Sequence, residues 1–138
     1  MKSSARRAND ERGAVAVEFA LGAVLMLTIL FAVIAFGSMY SRIEVFQSAA
    51  REGARTASVG GEYEAIIDAV TDAVDPYTID SASEIAVSVE GDSAASTCDD
   101  NVGDAVTVSW TQEFTLDLVF VQFTTPVQTF KGVFRCEA

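Results

Sequence analysis

The hydropathic pattern of the chain changes twice along its length. Residues 19–41, "FALGAVLMLTILFAVIAFGSMYS", make one apolar run without a charged side chain, about as long as a bilayer core requires, roughly 20 residues. Beyond it the apolar positions thin to a helical stripe. Ile43, Phe46, Ala50 and Ala54 recur at spacings of three and four, with Arg42, Glu44, Arg51, Glu52 and Arg55 largely elsewhere around the wheel. One continuous helix from about residue 14 to residue 58 accounts for both patterns. It would be roughly 67 Å long at 1.5 Å per residue, so half of it would stand clear of a membrane. Gly60-Gly61 predicts its end, because glycine takes the left-handed cap conformation at little cost. Residues 62–74, "EYEAIIDAVTDAV", predict a second helix with Ile66, Ile67, Val70 and Val74 on one face and acids in the first turn, halted by Asp75-Pro76.

After that the period becomes two. Residues 84–90 place Ile85, Val87 and Val89 on one face, and residues 105–113 do the same with Val106, Val108 and Trp110. A third run, residues 127–136, alternates Phe130, Phe134 and Cys136 with Thr129, Lys131 and Arg135. These runs predict a small antiparallel sheet of three strands, its apolar face covered by the helices. Residues 114–126, "FTLDLVFVQFTTP", are more apolar than a connection needs to be, and read as a fourth strand or a packing loop. The expected fold class is α+β: a long N-terminal helix, a second short helix and a sheet of three to four strands.

Charge sharpens the membrane reading. The formal net charge is −11, yet residues 1–13 sum to +2 through Lys2, Arg6, Arg7 and Arg12 against Asp10 and Glu11, leaving −13 for the rest. Basic residues before the apolar run and acidic ones after it favour a cytoplasmic N-terminus, with the segment from Arg42 onward outside. Eleven of the 23 residues in the run are Leu, Ile, Phe or Val, together worth roughly 5 kcal/mol for insertion. A secretory signal peptide cut near Ala35-Phe36-Gly37 is the competing reading, but its apolar stretch would be about 7–15 residues. So acidic an outer segment repels phosphate backbones, which argues against nucleic acid as a partner.

Candidate chemistry is sparse. Cys98 and Cys136 are the only cysteines; in an exported segment that count suits one disulfide, and in a reducing compartment two free thiols. The loop around them carries Asp99, Asp100, Asn101 and Asp104, oxygen ligands of the kind calcium uses, although not at EF-hand spacing. No cofactor or metal is expected. With no histidine there is no Ser/His or Cys/His pair, and no glycine-rich phosphate loop appears, so no catalysis is expected. Ala49, Gly53 and Ala57 are spaced by four and would give a helix face that another helix or a sheet can approach closely; ordinary alanine-rich helix explains them equally well.

The opening of the chain resembles a known family. Gly13, then Ala14-Val15-Ala16-Val17-Glu18-Phe19 and an apolar helix, is similar to the processing and assembly signature of type IV pilin-like proteins. More narrowly, "RGAVAVEFAL", "AFGSMYSR" and "AAREGAR" resemble the TadE-like minor pilins, or pseudopilins, of tight-adherence pili. Here "LGAVL" stands where members often carry a proline, and Ala35 where they often carry an acid. The resemblance implies a leader of residues 1–13 removed after Gly13 by a prepilin peptidase, a transmembrane helix over residues 14–41 and an extracytoplasmic pilin-like domain over residues 42–138. It further implies that Ala14 becomes the mature N-terminus. Glu18 and Phe19 would act in subunit assembly, the glutamate pairing with a neighbouring subunit's N-terminal ammonium. Any acid is also favourable near a helix N-terminus, and Glu18 lies one turn from its own amine. The implied partners are other pilins, the assembly platform, the peptidase and the membrane. The alternative is an uncleaved, membrane-anchored binding module outside any pilus.

Overall fold

The computed structural model describes residues 4–80, 84–91, 97–98, 101–118 and 121–137, with backbone alone for residues 4–12, 117, 118 and 121. Helix α1 spans Ser4–Ser58 and α2 spans Tyr63–Ala73; five strands follow, β1 Ala86–Val89, β2 Ala105–Gln112, β3 Thr115–Leu118, β4 Val121–Thr124 and β5 Gln128–Arg135. The fold is α+β. The chain divides into two compact units, Met1–Gly37 and Ser38–Ala138.

Among its described residues the first unit is helix alone. Its apolar residues face outward: Phe19, Leu21, Met26 and Val33 are all more than 60% exposed. None of the most apolar 18-residue window is buried by the rest of the chain. A helix apolar on every side and covered on none is suited to lipid, not to a soluble core. Helix α1 starts ten residues before the expected position near residue 14. Residues 4–13 have no apolar stripe, so a periodicity argument has nothing there to detect.

In the second unit the C-terminal part of α1 is a wall of the core. Ala49, Ala50, Ala54 and Ala57 are fully buried, and Phe46 is the hub of an aromatic cluster. Its ring lies 5.3 Å from Phe114 edge-on, 5.4 Å from Phe130, and 6.4 Å from both Trp110 and Tyr77, within the range where tilted aromatic pairs attract. Helix α1 closes in a Schellman motif: Gly60 N–H donates to the Ala57 carbonyl and Gly61 N–H to the Thr56 carbonyl, with Gly60 at φ 81°. Helix α2 then buries Ile66 and Val70, with Val74 behind them and Ile67 half-buried.

The main sheet has the order β1-β2-β5, antiparallel throughout. Its inner face carries Ile85 just before β1, Val89 from β1, Val106, Val108 and Trp110 from β2, and Phe130 from β5, all buried. Phe134 pairs with Val106 on that same face but is 40% exposed, so the alternation places it correctly and overstates its burial. The ambiguous segment after β2 is neither a single strand nor a loop. It is the hairpin β3–β4, a separate two-stranded sheet, tied at its base by Thr125 N–H donating to the Phe114 carbonyl and Phe114 N–H to Thr125 Oγ1.

Two glycines let α1 lie close to its neighbours. A Cβ on Gly53 would overlap Val70 Cγ2 and touch Val108 at 3.4 Å. Gly53→Ala gains about 1 kcal/mol of helix propensity but overpacks a filled core, at about 1–3 kcal/mol. Overpacking wins, and a loss of roughly 1 kcal/mol is expected, read as a lower urea midpoint of the second unit, the head. The second glycine, Gly132, is more tightly placed: its Cβ would overlap the carbonyl of Ala50, which is backbone and cannot rotate away.

Candidate processing and assembly segment

Gly13, Ala14, Glu18 and Phe19 lie on one uninterrupted stretch of α1. All four are exposed, and a side chain added at Gly13 would meet nothing within 4 Å. Glycine is therefore not demanded there by packing. Glu18 follows Ala14 by one turn, so the two occupy the same side of the helix. Phe19 is 76% exposed, a large apolar surface at the head of the apolar run. Within the chain itself these residues make no core, and what they offer is available to lipid, to an enzyme or to another helix.

The other residues singled out from the sequence fall in the second unit. Cys98 and Cys136 form a disulfide, with Cα atoms 5.5 Å apart. Around it Cys136 N–H donates to the Asp104 carbonyl and Gly103 N–H to the Cys136 carbonyl, which fastens the end of β5 to the loop before β2. Ala49, Gly53 and Ala57 are buried within the same chain, Gly53 against Val70 of α2 and Val108 of β2. Of the candidate calcium ligands, Asp99 and Asp100 lie outside the described residues. Among the described residues no group of three or more His, Cys, Asp or Glu is arranged to hold a metal ion.

Sequence reasoning missed the polar clasp between the segment after α2 and the sheet. Gln112, 7% exposed, donates through Nε2 to the Asp80 carboxylate and accepts the Asp80 N–H at Oε1, 3.3 Å. It stands at an inward position of β2, where the alternation predicts an apolar residue. Arg42 sits 5.3 Å above the Tyr77 ring, close enough for a cation–π contact. These groups line an open cleft of about 360 Å³ with Phe46, Glu113 and Phe114. It contains no nucleophile paired with a base, and its clasp explains its polar groups structurally.

A lipid-suited helix in a chain that also carries a disulfide-stapled α+β head fits a single-pass membrane anchor. Residues 13–55 match the family model described as TadE-like protein. The match begins at Gly13, ends with the last arginine of "AAREGAR", and covers about a third of the chain. No curated protein and no solved structure matches significantly.

Proposed function

We propose that this protein is a minor pilin, or pseudopilin, of a tight-adherence type IV pilus system, cut after Gly13 by a prepilin peptidase. The observation that carries the reading is the family match, which begins at Gly13 itself. Support also comes from the exposure of residues 13–19 on α1. Cleavage creates an ammonium at Ala14, one turn before Glu18. A carboxylate entering lipid unpaired is costly, and an ammonium relieves that cost whether it belongs to the same chain or to the next subunit. Pairing between subunits would align their helices in a bundle. The basic flank holds the N-terminus in the cytoplasm and the head outside.

N-terminal sequencing of membrane-derived protein tests the cut. A chain beginning at Ala14 is expected. A chain still beginning at Met1 in the presence of the matching peptidase sinks the proposal in favour of an uncleaved anchor. Glu18→Ala should insert into the membrane as the parent does and yet lose incorporation into pili, measured by sheared-fibre immunoblot against membrane fractions.

A further inference from the structure

The charges of the head are segregated. From Thr56 to Phe130 the sequence has fourteen carboxylates and not one Lys or Arg. The basic residues of the head are confined to α1 and β5: Arg42, Arg51, Arg55, Lys131 and Arg135. These two elements adjoin, since Gln47 Nε2 donates to the Lys131 carbonyl at 2.8 Å. At the opposite edge of the sheet α2 adjoins β1, since Tyr63 Oη donates to the Ile85 carbonyl at 3.0 Å. One edge thus presents Arg51, Arg55, Lys131 and Arg135, tempered by Glu52 and Glu137. The other presents Glu62, Glu64, Asp68, Asp72, Glu84 and Glu90, all exposed.

Both outer strands have a side of the backbone that β2 does not use. Glu90 N–H donates to the Ala105 carbonyl and Cys136 N–H to the Asp104 carbonyl. By the alternation of an antiparallel ladder, odd-numbered residues of β1 and of β5 then aim their N–H and C=O away from β2. We infer that these two edges are complementary, and that the basic edge of one head receives the acidic edge of a second copy of this chain.

The geometry is specific. Because β2 is antiparallel to both neighbours, β1 and β5 run parallel, so a copy related by translation brings β5 alongside β1 in parallel. In a parallel pair, a residue aiming at its neighbour lies opposite one aiming away, and bonds to the two residues flanking that one. Odd residues of β5 therefore lie opposite even residues of β1. With Val133 opposite Ser88, Lys131 falls opposite Ala86 and Arg135 opposite Glu90, while Glu84 is diagonal to Lys131. Side chains of these rows point to the outer face, where Lys131, Val133, Arg135, Ala86 and Glu90 are exposed. The carbonyls of Lys131 and Ile85 already accept one bond each, and a carbonyl accepts two. Two β5 edges brought together by a twofold would instead oppose like charges, which disfavours that pairing. The contact is head-to-tail and does not close on itself, so it extends into a row of heads. It does not depend on cleavage at Gly13.

The test uses the full-length chain in membranes, with a photo-reactive phenylalanine analogue replacing Val133. The expected result is a copy-to-copy cross-link mapping by mass spectrometry to residues 86–91 of the other chain. Lys131→Glu with Arg135→Glu should reduce that cross-link to background, as should Glu84→Lys with Glu90→Lys. Mixing the two charge-reversed chains should restore it, and intact Cys98–Cys136 linkage shows that each variant has folded. No copy-to-copy cross-link from Val133, a cross-link to residue 133 of the other copy, or one only to a different protein each overturns the proposal. Because the probe sits on an otherwise native chain, the result stands even if a charge-reversed variant fails to fold.

Discussion

Gly132→Ala should unfold the head under conditions where Gly53→Ala leaves it folded, although each adds a single methyl group. At Gly53 the obstacle is the end of the Val70 side chain; at Gly132 it is the Ala50 carbonyl within α1. A side chain can change rotamer, but α1 can move off β5 only by loosening its contacts with the whole sheet. The cost is therefore expected at the upper end of overpacking or beyond it, at least about 3 kcal/mol. For a head of this size that lowers the melting temperature by more than about 10 °C. Trp110, the single tryptophan and part of the Phe46 cluster, gives a fluorescence signal for the transition in the full chain. A melting temperature within a few degrees of the parent's would mean that α1 and β5 are not held as closely as described.

Replacing Cys98 and Cys136 together with serine is the second large effect. The bond links residues 38 apart in sequence, and in the chain-entropy model a loop of that size stabilises by about 4 kcal/mol. Small domains have about 5–15 kcal/mol in all, so a head without the bond should lose much of its resistance to protease. The same loss should follow when the parent is treated with a reductant that reaches the disulfide. Equal denaturant midpoints for oxidised and reduced protein would contradict it. The disulfide also fits a head exposed to an oxidising compartment.

Much of this architecture is legible in the residues. The end of α1 is written in Gly60-Gly61, since only glycine adopts the cap conformation freely, and the inner faces of β1 and β2 are written in their alternation. The hairpin is harder to read: "FTLDLVFVQFTTP" offers no Asn-Gly or Asp-Gly turn, the signal that marks a two-residue hairpin connection. Gln112 occupies an inward position because its partner, Asp80, lies 32 residues away, and no local pattern records a partner at that distance. Gly132 does leave a trace, because a lone glycine inside a strand pattern often marks a close backbone approach. What approaches it could not be named without the fold. The candidate assembly segment is the reverse case. Gly13, Ala14 and Glu18 owe nothing to packing in the chain, so their order in the sequence carries more information than their coordinates do.

The packing of Ala50 on Gly132 also fixes an order of events. Helix α1 is synthesised first and β5 is the last of the five strands, yet the buried face of one is completed by the other across 82 residues of sequence. Until β5 arrives, Phe46 lacks Phe130 and Ala50 lacks the close approach of Gly132. Contacts this distant in sequence form slowly, and the apolar surface that awaits them is prone to misassociation meanwhile. The head therefore matures only after β5 has been added. Arrested chains lacking β5 should remain protease-sensitive at α1 even with α2 and β2 already synthesised.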